Sequence, residues 1–148
     1  MITRLDGQHA EGVCSLEAQA RSGASRAQLL AALQDEQAWV AGYWQESVLL
    51  GYALLVRLPF DAELQAIGVS PEAQGQGVGR QLLDACVAAA TQWSSERLLL
   101  EVRAGNQRAI ALYRRAEFAQ DGCRKGYYPA AEGTTGREDA LLMSRSLP

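Results

Sequence analysis

A cluster of three glycines constrains the fold of this chain more than any other feature of its sequence. The segment Gln74–Arg80 is QGQGVGR, with glycine at positions 75, 77 and 79. Alternate glycines allow successive backbone N–H groups to point into one concavity, and a helix that begins behind them adds its positive end. The segment therefore predicts an anion-binding loop; the alternative is a flexible glycine turn at the start of a helix.

The residues on either side of the glycine loop predict a strand before it and a helix after it. A strand is predicted over Asp61–Val69, and Pro71 ends it. Helical periodicity predicts a helix over Gly77–Trp93, whose apolar stripe contains Val78, Leu82, Cys86 and either Ala89 or Ala90. A loop held between a strand and a helix favours anion binding over a plain turn.

Other segments complete the predicted order of elements. The opening of the chain is predicted to be helical, with one helix over about 7–20 and a second that Ser25 caps. An antiparallel hairpin over 37–56 precedes the strand at 61–69. After the central helix come a buried strand over 97–102, a helix that Asn106 caps, and two strands, from Phe118 and at Ala140–Met143, joined by the polar loop Glu132–Gly136.

This order predicts an α+β fold in αβα layers, in which helices flank both faces of a mixed, mostly antiparallel sheet. The length of 148 residues suits a single domain over 1–148 with one hydrophobic core.

Composition and charge exclude several classes of protein. A net charge of -3 and a pI near 5.2 oppose broad neutralisation of phosphates, so no direct nucleic acid partner is expected. The apolar stretches fall far short of the roughly 20 residues that cross a bilayer, and the start is unlike a secretory signal, so we expect a cytoplasmic protein without membrane contact. Cys14, Cys86, Cys123 and the single His9 show no metal or disulfide pattern, and the cysteines are predicted to be buried free thiols.

Two other nucleotide-binding motifs fit the glycine loop less well. A P-loop needs Lys and then Ser or Thr after its last glycine, whereas Gly79 is followed by Arg80 and Gln81. Arg80 also replaces the third glycine of a Rossmann fingerprint, and Ser70–Gln74 separates the loop from its strand. Because Glu101 lies about twenty residues further on, where a ribose-binding carboxylate is expected, dinucleotide binding remains an alternative hypothesis.

The loop Gln-x-x-Gly-x-Gly at Gln74–Gly79 resembles the acyl-CoA motif of the GNAT superfamily. Further segments resemble the ribosomal-protein-alanine N-acetyltransferases of the RimI type, in the same order and with matching spacing over about 64–145. These segments are Ile67–Pro71, Gly77–Leu83, Leu100–Asn106, Ala109–Tyr113, Tyr127–Pro129 and Gly136–Ala140. The first 60 residues resemble the family only in the order of their elements.

The resemblance implies a splayed GNAT-like sheet and an acetyl-CoA-dependent N-acetyltransferase that needs no metal. The expected acceptor is the amino-terminal alanine of a small-subunit ribosomal protein, whose amine attacks directly in a ternary complex. The alternatives are another amine, such as a lysine, a different protein amino terminus, a polyamine or a small molecule, and a domain that senses acyl-CoA without catalysis.

The resemblance also implies roles for two side chains in the chemistry. Glu101 would accept the proton of the amine, and Tyr113 would donate a proton to the CoA thiolate. Two structural alternatives remain open: Glu101 as a strand-end carboxylate paired with Arg97 or Arg103, and Tyr113 as a core tyrosine with a wet hydroxyl.

The remaining site predictions divide into a donor group and an acceptor group. Backbone groups of one strand would run beside the pantetheine arm, the glycine loop would hold the pyrophosphate, and a helix cap would touch CoA. The residues are Ile67, Gly68, Val69, Gly75, Gln76, Gly77, Val78, Gly79, Arg80 and Asn106. Around the peptide entrance the resemblance implies Tyr127, Tyr128, Glu138 and Asp139, while the aromatic-proline segment of many family members is replaced by Ala20–Ser25.

Overall fold

The computed structural model of the chain describes residues 1–130 and 136–148, and their strands form one sheet in the order β1-β2-β3-β4-β5-β7-β6. The strands are β1 Ile2–Arg4, β2 Ala38–Gln45, β3 Val48–Arg57, β4 Ala62–Val69, β5 Arg97–Arg103, β6 Ala119–Pro129 and β7 Arg137–Ser146. The α-helices are α1 Ala10–Ala20, α2 Arg26–Ala32, α3 Val78–Gln92 and α4 Gln107–Arg115. Short 3₁₀ turns lie at Gly7–His9 and Pro71–Ala73.

The sheet is mixed, and helices cover both of its faces. Neighbouring strands run antiparallel except β4 and β5, which run parallel. One hydrophobic cluster joins α1 and α2 to the sheet through Val13, Leu16, Leu29, Val40, Tyr52 and Leu54. A second cluster joins α3 and α4 to the other face through Leu82, Cys86, Ile110, Tyr113, Leu55 and Leu100. The predicted α+β fold in αβα layers is therefore confirmed.

Strands β4 and β5 separate towards their carboxyl ends. They pair only from Ala62 with Leu98 to Leu64 with Leu100. On the other side of β4, the register with β3 shifts because Gln65 is an extra residue opposite the Leu54 and Leu55 pair, which is a β-bulge. Beyond the bulge, Ile67–Val69 keeps its pairing with β3 but has none with β5 among the described residues. The sheet is splayed, as the resemblance implied, and we call this gap the opening.

Helical structure is present over 7–20 as predicted, but a short strand that was not predicted precedes it. Ile2–Arg4 pairs antiparallel with Ala41–Tyr43 at the edge of the sheet. A strand of three residues is too short to show a recognisable alternation of apolar and polar side chains. The strand forms because it pairs with β2. The first α-helix begins at Ala10 after a 3₁₀ turn, which Asp6 and His9 close with a capping box.

Several local predictions are confirmed, and one is wrong. Ser25 accepts a hydrogen bond from the Gln28 N–H, and Asn106 accepts one from the Ala109 N–H, so both residues cap helices as expected. The cysteines are free, but only Cys86 is buried; Cys123 is exposed because it lies on the edge strand β6. Most of the predicted loop at 132–136 lies outside the described residues. Among the described residues, no helix is long and apolar enough to cross a membrane.

Candidate functional site

The glycine loop has a backbone that only glycine adopts easily at two of its positions. The φ angles of Gly75 and Gly77 are 80° and 83°, in the left-handed region. Gly77 is the N-cap of α3, and no side chain caps the first turn of this helix. Its first backbone N–H groups, at Val78, Gly79 and Arg80, are therefore orphan donors that an anion can satisfy.

The side chains around the glycine loop add one cation that the sequence analysis missed. Arg108, in the first turn of α4, donates to Gln74 Oε1 over 2.7 Å, and its guanidinium lies near Gly75. Arg80 is engaged elsewhere, because it donates to Asp84 over 3.0 Å and to the Arg115 carbonyl over 3.4 Å. The approach of α4 to the loop is a tertiary contact, so no local pattern marks Arg108.

Glycine at position 68 has a structural explanation of its own. A Cβ on Gly68 would lie 2.8 Å from Cε1 of Tyr52, a fully buried ring on the neighbouring strand β3. The close approach of Tyr52 therefore requires glycine here, whether or not a ligand also runs beside β4. Ile67 and Val69 point to the opposite face, where they pack against the α3 cluster.

Glu101 lies at the first position of β5 beyond its pairing with β4. Leu100 and Val102 are buried in the cluster under α3, so Glu101 points to the face that carries α1 and α2. Its side chain is 28% exposed, and Arg124 Nη2 lies 3.5 Å from Glu101 Oε1. The alternative in which Glu101 pairs with Arg97 or Arg103 is therefore wrong.

The two arginines proposed as partners of Glu101 bind other carboxylates. Arg97 lies 3.4 Å from Asp61, and Arg103 lies 3.1 Å from Glu138. Both arginines alternate with the buried leucines of β5, so sequence spacing alone could not decide which carboxylate each would meet.

Tyr113 comes from α4 on the opposite face of the sheet. Its ring is buried beside Phe118, with ring centroids 5.9 Å apart. Burial raises the pKa of Tyr113 to about 12, with smaller contributions from Cys86 and Tyr128. The phenol therefore keeps its proton at neutral pH.

Tyr128 connects the surroundings of the two predicted catalytic groups. Burial raises the pKa of Tyr128, and the Glu101 carboxylate raises it further. The charge of Tyr128 in turn acts on Tyr113. A residue at the end of β6 is thus an electrostatic neighbour of side chains from both faces of the sheet.

The predicted entrance residues form two small clusters at the ends of β6 and β7. The Arg103 guanidinium lies 4.3 Å from the centre of the Tyr128 ring and 3.1 Å from Glu138. Glu138 also accepts a 2.8 Å hydrogen bond from the Gly105 N–H, and a Cβ on Gly105 would lie 2.7 Å from that carboxylate. Glu138 is therefore held firmly beside the strand that carries Glu101.

The second cluster contains the more exposed of the two tyrosines. Tyr127 is 45% exposed, and its ring stacks edge-on against Tyr128 at 5.1 Å. Arg124, the partner of Glu101, lies 5.1 Å from the centre of the Tyr127 ring. Asp139 accepts a 2.8 Å hydrogen bond from the Gly126 N–H, so it holds the β6 backbone. Each of the four predicted entrance residues thus contacts at least one other residue at this end of the sheet.

The chain matches a known protein family over most of its length. The sequence pattern of the Acetyltransferase (GNAT) family matches residues 10–118, which is most of the chain. The chain belongs to the GNAT acetyltransferase family. The family predicted from the glycine loop and its flanking segments is therefore confirmed.

Individual GNAT relatives cover most of the chain. It is 38% identical over 100 residues to the [ribosomal protein bS18]-alanine N-acetyltransferase of Escherichia coli K12, covering 68% of this chain and 66% of that protein. It is 41% identical over 98 residues to the N-alpha-acetyltransferase RimI of Mycobacterium tuberculosis, covering 62% of this chain and 60% of that protein. The matched stretches thus span less than two thirds of either relative.

A solved GNAT structure superposes over nearly the whole chain. The crystal structure of the ribosomal-protein-S18-alanine N-acetyltransferase from Escherichia coli has a TM-score of 0.90 and 30% sequence identity, and the match covers 99% of this chain and 93% of that chain. The similarity includes the first 60 residues, for which the sequence alone gave only an order of elements.

The glycine loop fits the anion that a GNAT acetyltransferase needs to hold. Acetyl-CoA carries a pyrophosphate, and the uncapped first turn of α3 with its two left-handed glycines provides backbone donors for it. The nearby Arg108 guanidinium adds a positive charge on the same side of the loop.

Proposed function

We propose that this GNAT protein is an N-acetyltransferase that transfers the acetyl group of acetyl-CoA to the amino-terminal alanine of a small-subunit ribosomal protein. The observation that carries the proposal is the opening between β4 and β5. Glu101 lies beside it at the first position of β5 past the pairing with β4, and Tyr113 comes from α4 on the other face of the sheet, so the proposal is that a base and an acid act from opposite faces on one ligand. The names of the relatives support the choice of acceptor.

The acyl donor would be held by the backbone on two sides. The loop N–H groups at 75–80 would bind the pyrophosphate, and the free backbone edge at 67–69 would pair with the pantetheine arm like an added strand. Asn106 uses its side-chain oxygen to cap α4, which leaves its NH₂ group as a donor towards acetyl-CoA. When bound, acetyl-CoA supplies the thioester carbonyl that the amine attacks.

Glu101 is the proposed acceptor of the proton that the amine loses. A protein α-amino group has a pKa of about 7.7–8.0, so roughly a tenth of it is already neutral at pH 7. Glu101 therefore has to shift this equilibrium only modestly, directly or through a water molecule. The carboxylate is partly exposed at the opening, so an amine from solution can reach it.

Tyr113 is the proposed donor of the proton that the leaving thiolate gains. The new bond joins the amine nitrogen to the carbonyl carbon, and the bond from that carbon to sulfur breaks. The amine proton passes to Glu101, and the phenol proton of Tyr113 passes to the sulfur, so the charges balance. A pKa raised to about 12 keeps this phenol protonated until it is used.

The peptide would approach between the ends of β6 and β7. Tyr127 and Tyr128 offer aromatic surface there, and Glu138 and Asp139 offer negative charge. Because Glu138 and Asp139 already accept backbone hydrogen bonds, they would attract a cationic amino terminus through their field rather than by exchanging partners. We expect this enzyme to work in the cytoplasm, where ribosomal proteins are made.

The test is a thiol-release assay with acetyl-CoA and a panel of amines. The panel holds an alanine-started peptide matching the ribosomal protein, other amino-terminal peptides, lysine peptides and polyamines. Wild type is compared with Glu101→Gln and Tyr113→Phe, and with Glu117→Gln, which removes an exposed carboxylate paired to Arg145.

We expect turnover of the alanine-started peptide and a loss of about 10²–10⁴-fold in kcat for Glu101→Gln and Tyr113→Phe, the usual range for general acid and base groups. Glu117→Gln should match wild type. Preferred turnover of another amine would replace the acceptor, and full activity of a Glu101 and Tyr113 double variant would refute the mechanism. If the protein binds acetyl-CoA without transferring the acetyl group, it is an acyl-CoA sensor. If it does not bind acetyl-CoA, the hypothesis of dinucleotide binding is favoured and is tested next.

A further inference from the structure

A buried carboxylate lies on the α1 side of the opening, where Glu17 meets Tyr52 of β3. The Tyr52 hydroxyl donates to Glu17 Oε1 over 2.6 Å, and both residues are buried. Burying a carboxylate is unfavourable unless hydrogen bonds replace its lost hydration. The proposed chemistry at Glu101 and Tyr113 makes no use of this pair.

Two further donors come from segment 21–25, which joins α1 to α2. The Ser22 hydroxyl donates to the Glu17 oxygen that Tyr52 also uses, and it lies 3.0 Å from the Tyr52 hydroxyl. The Gly23 N–H donates to Glu17 Oε2 over 3.2 Å. We call Glu17, Ser22, Gly23 and Tyr52 the Glu17 network; it ties segment 21–25 to the sheet at two points.

The Glu17 network lies against the part of β4 that borders the opening. A Cβ placed on Gly68 would lie 2.8 Å from the Tyr52 ring and 3.4 Å from Glu17 Oε1. The same Cβ would lie 3.2 Å from Cβ of Ala20, the last residue of α1. Since Gly68 lies beyond the pairing of β4 with β5, the network fixes the end of α1 and segment 21–25 beside the opening.

The bonds within the network suit a clamp better than a ligand site. Burial and the hydrogen bond to Glu17 raise the pKa of Tyr52 far above its usual range, so the phenol stays protonated and keeps donating. Three donors already occupy the two oxygens of Glu17. Segment 21–25 also borders an open cleft of about 470 Å³, which residues of α1, including Glu17, and of α2 line as well, so the segment has space to move when the clamp is broken.

We propose that Glu17 and Tyr52 are positioning residues for the acceptor. They hold segment 21–25 as a wall of the opening on the α1 side, and the position of this wall sets the affinity for the acceptor. The inference rests on the proposed function, because an acceptor amine has to reach a thioester held along β4.

The test compares two variants that both lose stability but differ in the clamp. Tyr52→Phe removes the hydroxyl and keeps the ring, whereas Val40→Ala removes buried methyl groups from the same hydrophobic cluster and leaves the Glu17 network intact. Hydrogen–deuterium exchange of the amides at 21–25 reports on the clamp without any reaction. Steady-state kinetics then separate the acceptor KM from the acetyl-CoA KM and from kcat.

For Tyr52→Phe we expect roughly tenfold faster exchange at the Gly23 amide and a roughly tenfold higher acceptor KM, the size expected for one hydrogen bond to a charged group. The acetyl-CoA KM should be unchanged. Glu17→Gln should act in the same way, and the double variant should be no worse than either alone, because each breaks the same clamp. Val40→Ala should lower the melting temperature without changing the acceptor KM.

Four results would count against the proposal or against its basis. An acceptor KM in Tyr52→Phe equal to that of wild type, or an equal rise in Val40→Ala, would overturn the positioning role. Unchanged exchange at Gly23 would overturn the clamp, whatever the acceptor. A wild-type protein that acetylates no amine, with faster exchange in Tyr52→Phe, would refute the proposed function alone and leave the clamp in place.

Discussion

The proposed donor side and the proposed acceptor side of the opening are built in different ways. The donor side, which consists of the loop at 74–80 and the adjoining end of β4, presents backbone groups of residues that are close in sequence. The acceptor side, which consists of segment 21–25 and the ends of β6 and β7, depends on side-chain bonds between distant residues. Tyr52 bonds Glu17 and Arg103 bonds Glu138, each across 35 positions. A local motif can encode the first kind of surface, whereas the second exists only in the folded chain.

Gly68→Ala tests the point where the two sides meet and has the largest expected effect. The added Cβ would lie 2.8 Å from the Tyr52 ring, which is fully buried and cannot move aside cheaply. Overpacking of this kind destabilises a core by about 1–3 kcal/mol. We expect a lower melting temperature together with higher KM values for both acetyl-CoA and the acceptor. An increase in only one KM would show that the two sides respond independently.

Gly77→Ala should damage the donor side alone. The φ of Gly77 is 83°, and a Cβ there meets no atom within 4 Å, so the effect comes from the backbone and not from a clash. A left-handed conformation disfavours alanine by about 1–2 kcal/mol, which corresponds to roughly tenfold weaker acetyl-CoA binding. Isothermal titration measures it, and Gly77→Asn is the matched control because asparagine tolerates this conformation. Equal losses in both variants would assign the effect to the side chain.

The same contrast explains which features could be predicted from the sequence. The strand and helix around the loop, the cap at Asn106 and the family all depend on neighbouring residues, and their predictions are confirmed. The three-residue strand β1 and the partner of Glu101 depend on contacts across the sheet; β1 was not predicted, and the partners predicted for Glu101 are wrong. Arg108 and the Glu17 network are likewise tertiary, so no periodicity or spacing could reveal them.

The alkaline stability of the protein tests how deeply Tyr113 is buried. Burial raises its pKa from 10.0 to about 12, so the folded state holds this proton more tightly than the unfolded state. The resulting stabilisation is complete below pH 10 and is lost as pH rises towards 12. By pH 11 the free energy of unfolding has fallen by about 1.4 kcal/mol for this reason. Between about pH 9 and 11, the melting temperature should therefore fall more steeply with pH for wild type than for Tyr113→Phe. Equal slopes for the two proteins would mean that the phenol is accessible to solvent.

Glu138→Gln should weaken the acceptor side by a smaller amount. The carboxylate holds Arg103 over the Tyr128 ring and accepts the Gly105 N–H, and an amide can keep only one of these bonds. Loss of one such bond is worth about 1 kcal/mol, or roughly a fivefold rise in the KM for the peptide. The acetyl-CoA KM should change less. An unchanged peptide KM would remove Glu138 from the entrance and leave it a purely structural role.

Arg124→Gln has the smallest expected effect, because the partner it removes from Glu101 is weakly held. The guanidinium is 52% exposed and lies 3.5 Å from the carboxylate, and exposed ion pairs of this kind contribute about 0–1 kcal/mol. Arg124 also repels an incoming ammonium group, so its removal should lower the acceptor KM slightly and reduce the salt dependence of that KM. The expected change in kcat is less than about threefold, within the same energy range. A loss of kcat as large as that of Glu101→Gln would instead mean that Arg124 takes part in the chemistry, and an acceptor-side contact made only in the folded chain would then be as important as the donor loop.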